Sequence, residues 1–128
     1  MPKILLLMWR KAIAESLLAE LRREPGLQLF YEPDYTKAVT SISSHASKVA
    51  LIEVSETRER NISYCLDVCA SIRSETPGCK LILMCSEQDE EAVEQTVNAK
   101  HEGHIDDFVF YEASLGYLTS KLLAALQP

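Results

Sequence analysis

The residues that could do chemistry in this chain are few and scattered. Four cysteines, Cys65, Cys69, Cys79 and Cys85, have a spacing that fits neither a zinc ribbon nor a C-x-x-C redox motif. Cys65 and Cys69 stand four apart and would share one helix face. A metal or a disulfide is conceivable there, but small apolar packing is the commoner use of such a pair, and no function is assigned to them. His101 and His104 form an H-x-x-H that could hold a metal only if further ligands converged; a solvated helix end accounts for them more simply. Glu87, Asp89, Glu90 and Glu91 cluster where a helix should begin, which suits the positive end of a helix dipole. None of the three histidines directly follows a strand-like run, so no Ser-His-Asp arrangement is suggested. With four glycines in all and none after the first apolar run, a phosphate-cradling loop is missing as well.

These side chains must be positioned by regular elements, and the hydrophobic pattern marks them out. Lys3 to Met8 and Lys48 to Val54 are short, nearly continuous apolar runs, as expected of strands buried on both faces of a parallel sheet. Lys80 to Cys85 reads the same way, and Leu27 to Tyr31 and Ile105 to Tyr111 alternate in the manner of strands. Between them lie helical periodicities over Arg10 to Glu24, Tyr35 to Ser44, Ile62 to Ser74, Asp89 to Lys100 and Leu115 to Leu126. Pro25-Gly26 and Pro77-Gly78 serve as stops. Five strands alternating with five helices predict an α/β, flavodoxin-like three-layer sandwich: a five-stranded parallel sheet with helices on both faces, spanning residues 1–128 as one domain. In such sheets the reactive or binding site lies at the carboxyl ends of the strands. The stretches to watch are therefore Met8 to Lys11, Glu53 to Arg58, Cys85 to Glu87 and Tyr111 to Ser114.

Composition narrows the function classes. Hydrophobic residues make up 47% of the 128 and charged residues 25%, the balance of a folded domain and not of a disordered one. The net charge is -6 and no basic run exceeds Arg22-Arg23, so nucleic-acid binding is not expected. The apolar run Ile4 to Trp9 is too short to cross a membrane and lacks a signal-peptide layout; a cytoplasmic protein is the expectation.

Four segments, Ala50-Leu51-Ile52-Glu53, Ile72-Arg73-Ser74-Glu75, Leu81-Ile82-Leu83-Met84-Cys85-Ser86 and Asp106-Asp107-Phe108-Val109, resemble in order and spacing the receiver domain of bacterial response regulators, the CheY-like family. The resemblance covers almost the whole chain. It implies a two-component or phosphorelay signalling role in which an acidic pair after the first strand holds magnesium and an aspartate at the end of the third accepts phosphate. Here Met8, Trp9 and Arg10 fall where the acidic pair belongs, which removes the oxygen ligands a hard cation requires. Glu53 occupies the phosphoacceptor position, where its extra methylene displaces the carboxylate from in-line transfer. The resemblance thus places a degenerate phosphoacceptor site at Glu53, Met8, Trp9, Arg10, Cys85, Ser86 and Tyr111. Cys85 and Ser86 stand for the hydroxyl switch, Tyr111 and Glu112 for the conserved lysine and proline, and Phe108 for the aromatic switch.

What this implies is a pseudo-receiver: a protein–protein interaction module, not an enzyme, with no cofactor and no magnesium site. Its expected partner is a histidine kinase or an output or regulator domain. Glu53 then has two even readings, a mimic of phosphoaspartate charge or a structural carboxylate paired with Arg10. A weak homodimer is expected through the fourth helix, fifth strand and fifth helix, with Tyr111, Tyr117, Leu118 and Leu122 at the interface. Two alternatives stay open: a working phosphoacceptor that uses Glu53 or Ser55, and a small flavodoxin-like cofactor carrier.

Overall fold

The computed structural model describes residues 1–127, apart from the side chain of Arg58. Pro128, the last residue of the expected domain, and the Arg58 side chain at the end of the third strand's loop lie outside the described residues. The elements run β1 (Lys3–Leu7), α1 (Lys11–Leu21), β2 (Gln28–Glu32), α2 (Ala38–His45), β3 (Val49–Glu53), α3 (Ile62–Glu75), β4 (Lys80–Cys85), α4 (Glu90–His101), β5 (Asp107–Phe110) and α5 (Leu115–Ala125). All strand pairs are parallel, in the order β2-β1-β3-β4-β5. This is the expected flavodoxin-like, CheY-like α/β sandwich.

Burial on both faces explains the continuous apolar runs. In β1, Leu5 and Leu7 join a core with α2, α3 and α4, whereas Ile4, Leu6 and Met8 join a second core with α1 and α5. Every residue of β3, from Val49 to Glu53, is buried. Because side chains alternate across a strand, each central strand feeds both cores, and neither face has room for a polar residue without a partner. Glu53 is the exception, and its partners define the site.

Local chemistry sets the boundaries. Asn61, Asp89 and Ser114 accept a backbone N–H at the starts of α3, α4 and α5, so Asp89 is the cap of α4 and not its first residue. The segment expected as one helix from Tyr35 divides: Asp34 caps a 3-10 turn over Tyr35–Lys37, and α2 begins only at Ala38. α1 stops at Leu21, short of the expected Glu24, and the turn that follows uses Gly26 at φ 83°, a conformation glycine adopts without strain. Among the described residues no helix is long and apolar enough to cross a membrane.

Candidate functional site

Three loops at the carboxyl ends of β1, β3 and β5 converge on Glu53, whose side chain is wholly buried. One carboxylate oxygen, Oε1, accepts the backbone N–H groups of Trp9 (3.0 Å) and Arg10 (3.1 Å); the other, Oε2, accepts Arg10 Nε at 2.5 Å. The residues expected to hold an acidic pair thus supply donors instead. Met8 is fully buried in the α1–α5 core and offers the site nothing polar. Partial burial alone would lower the Arg10 guanidinium, but pairing with Glu53 and contact with Tyr111 outweigh it and hold its pKa above the ordinary value.

The guanidinium groups and aromatic rings alternate across the mouth of the sheet. Arg10 Cζ lies 4.3 Å from the centroid of the Tyr111 ring and 5.4 Å from that of Trp9. Arg60 Cζ lies 5.9 Å from the other neighbour of this row, the Trp9 ring again, and 5.6 Å from that of Tyr35. The row Tyr35, Arg60, Trp9, Arg10, Tyr111 therefore ties the segments that follow β1, β2, β3 and β5 together by cation–π contacts. Below it, the Tyr35 hydroxyl donates to the Glu53 main-chain carbonyl at 2.6 Å, and Cys65 Sγ approaches the same oxygen at 3.7 Å. Burial pushes the Tyr35 phenol and the Cys65 thiol well above their ordinary ranges, so both remain neutral donors.

The remaining candidate residues are placed less simply. Cys85 is buried at the end of β4 and belongs to the α2–α4 core, with its thiol pushed up to about 11 by burial. Ser86 is buried too, and its hydroxyl donates to the Glu112 carboxylate, whose other oxygen accepts Glu87 N at 2.9 Å. Glu112 is thus the tether that joins the β4–α4 and β5–α5 loops, and the Ser86 hydroxyl is engaged there and not with Glu53. Phe108 is half-buried on the α4 side, 5.7 Å from the Phe110 ring, with Lys100 Nζ 5.6 Å from its centroid.

Two expectations need correction. Leu118 and Leu122 are not interface residues: they are 4% and 1% exposed and pack with α1 in the core. Tyr111 is half-buried beneath Arg10, which leaves Tyr117, 49% exposed, as the open member of that set. All four cysteines are buried and free, in keeping with small apolar packing. His101 ends α4 and His104 pairs with Glu102 at 3.1 Å, all three exposed, in keeping with a solvated helix end.

The sequence does not single out Arg60 or Tyr35 as partners of the site, and it marks Glu112 only as a replacement for a conserved residue, not as the partner of Ser86. Each acts across at least eighteen residues of chain, in contacts that neither periodicity nor local spacing encodes.

Magnesium, which a working receiver would use, does not fit here. A hard divalent cation needs several oxygen ligands. This site has one carboxylate, both of whose oxygens already accept hydrogen bonds, with a guanidinium beside it. Among the described residues no group of three potential ligands gathers anywhere.

The fold is that of response-regulator receiver domains. Solved structures agree with this. The signal receiver domain of an HD domain-containing protein from Pseudomonas fluorescens Pf-5 superposes with a TM-score of 0.77 at 22% identity, over 98% of this chain and 86% of that one. A response regulator from Thermotoga maritima gives 0.77 at 17% identity, over 98% of both chains. A CheY-like receiver domain protein from Methanospirillum hungatei JF-1 gives 0.78 at 17% identity, over 98% and 94%. No protein-family model and no curated protein matches the sequence.

Proposed function

We propose that this chain is a receiver-type signalling domain, one unit over residues 1–128, that acts by protein–protein contact and without phosphotransfer. Its partner class is the one receiver folds serve: a histidine kinase or an output or regulator domain. The observation that carries the reading is the saturation of Glu53. Its carboxylate is buried, accepts three donors and is neutralised by Arg10. A phosphoryl donor would find both oxygens already engaged, and among the described residues no cluster of ligands to hold a metal that would neutralise the charge of an in-line transfer.

The same geometry favours the structural reading of Glu53 over charge mimicry. A phosphoaspartate works on its surroundings through unspent charge and acceptors, whereas the Glu53 charge is spent on Arg10 and two backbone N–H groups. The domain would therefore hold one conformation, set by its own guanidinium.

Trp9, 37% exposed and joined to Glu53 through its N–H, supplies the reporter. Titration with magnesium and then beryllofluoride is expected to leave Trp9 fluorescence unchanged, and incubation with acetyl phosphate to leave the intact mass unchanged. A saturable magnesium-dependent quench, or a phosphoryl adduct on Glu53 or Ser55, would overturn the proposal in favour of a working receiver with substitute ligands.

A further inference from the structure

The two edges of the sheet are finished differently. β5 has four residues, and its Asp107 stands between Lys100 and Lys121, the short, charged kind of edge that discourages pairing with another chain. β2 runs in unbroken register along β1 from Gln28 to Glu32, with no proline and no lysine. No strand lies beyond it. Gln28 N–H donates to Pro2 O, so by alternation Gln28, Phe30 and Glu32 turn their main chain to β1, while the N–H and C=O groups of Leu29 and Tyr31 point out of the sheet. Among the described residues no main-chain bond meets those outward groups.

The strand is held from both faces. The Phe30 ring stacks on His45 at the end of α2, with centroids 3.7 Å apart, and Leu29 and Tyr31 pack on the α1–α5 core. All three apolar side chains remain half-buried. Glu32 closes the strand. Its oxygens accept Ser41 Oγ at 2.8 Å and Asp34 N–H at 3.0 Å, and among the described residues it forms no ion pair.

An edge of this kind is a template for one chemistry, another extended main chain. We propose that the free edge of β2 takes up an extended segment of a partner protein as an added strand, with apolar residues in alternation beside Leu29, Phe30 and Tyr31 and a lysine or arginine set against Glu32. Main-chain hydrogen bonds to Leu29 and Tyr31 supply affinity, and the side chains supply selection. Because β2 is already fixed, docking costs little ordering on this side. A second copy of the chain fits less well: β2 has no Lys or Arg, so its copy would bring no cation to Glu32. The inference does not depend on the reading of the Glu53 site.

The test is an NMR titration of the isotope-labelled full chain with the acetylated, amidated peptide Lys-Thr-Val-Thr-Val-Thr-Lys, whose terminal lysines set a cation near Glu32 in either direction of approach. The expected result is a saturable shift centred on the Leu29 and Tyr31 amides, with hydrogen exchange there slowed about tenfold or more at saturation. Leu29→Pro removes an outward N–H without touching the β1 ladder and should weaken binding about tenfold. Glu32→Gln should weaken it several-fold and flatten its salt dependence. Circular dichroism checks that the variants fold. Should Leu29→Pro unfold, the same peptide N-methylated between its lysines gives a second readout and is expected not to bind. No saturable shift up to millimolar peptide, shifts centred on another element, or binding indifferent to N-methylation or to Glu32→Gln would overturn the proposal. So would a dimer of the chain alone, seen by sedimentation velocity, that Leu29→Pro abolishes, because the edge would then belong to a second copy.

Discussion

Arg10 and Glu53 are 43 residues apart in the chain, and Arg10 Nε lies 2.5 Å from Glu53 Oε2 at the mouth of the sheet. The carboxylate is wholly buried, while the Arg10 side chain is 32% exposed. Removing one partner of such a pair strands the other charge, which is far more harmful than exchanging both for apolar groups. Arg10→Ala is therefore expected to lower stability in urea unfolding by about 3 kcal/mol, the low end of the range for breaking a buried pair because Arg10 reaches solvent. Glu53→Gln keeps the size and one acceptor and should cost about 1–2 kcal/mol. The double change Arg10→Met with Glu53→Leu is expected to be less harmful than Arg10→Ala alone.

Arg60 spans Trp9 and Tyr35, and among the described residues its one ion-pair partner is the exposed Glu59, at 3.3 Å. Arg60→Ala is expected to cost only about 0.5–1 kcal/mol, the worth of an exposed cation–π contact. It should nonetheless shift the emission of Trp9, the single tryptophan. An unchanged spectrum would mean that the row of rings and guanidinium groups does not persist in solution.

Much of the fold could be read from the chain because each central strand is buried on both faces and so appears as an unbroken apolar run. The helix caps were partly visible as well: Asn61, Asp89 and Ser114 are the residue types that hold helix starts. Which side of α5 meets the core was not legible. With Leu115, Tyr117, Leu118, Leu122 and Leu123 spread around the helix, the apolar pattern covers more than one face and gives no direction. At the site, the pairing of Glu53 with Arg10 was one of two even readings of that carboxylate, because residue types alone do not say whether the charge is paired or free. The Ser86–Glu112 bond and the stacking of Arg60 join loops whose relative heights no periodicity sets.

The corrected role of α5 has its own check. Leu118→Ala and Leu122→Ala remove buried side chains and are expected to cost about 2–5 kcal/mol each. Tyr117→Ala, at an exposed position, should stay within about 0.5 kcal/mol in the monomer. Comparable losses at all three positions would contradict the packing described.

Partial burial on its own would push Asp107 up, but bonds from Lys121 Nζ, the Phe108 N–H and Lys100 Nζ prevail and hold it below the ordinary carboxylate range. Glu112 is held low in the same sense, its slight burial outweighed by Ser86 and the Glu87 N–H. A depressed native pKa means that the folded state sheds its proton more readily than the unfolded one. Stability from these groups is thus full above the unfolded carboxylate value near 4 and is lost as pH falls through and below it. Melting temperature should drop steeply on that acid limb, and less steeply in Asp107→Asn, with no difference in slope between pH 6 and 8.

Burial pushes the thiols of Cys79 and Cys85 up to about 11 and that of Cys69 to about 12, with Cys65 higher still. Because the thiolate is the reactive form, none of the four should react with a disulfide reagent at pH 8 in the native protein, and all four should react at once in denaturant.

The Arg10–Glu53 pair also constrains what this chain could become. Metal-dependent chemistry of the receiver kind would need an acidic pair at positions 8 and 9, or 9 and 10, and an aspartate at 53, but each single step meets a penalty before any later step can relieve it. Replacing Arg10 first leaves the buried Glu53 carboxylate with backbone N–H donors but no cation, and adding an acid beside Glu53 first sets like charges together. Either order passes through a destabilised intermediate, so the buried pair holds this sequence away from metal-dependent chemistry, one substitution at a time.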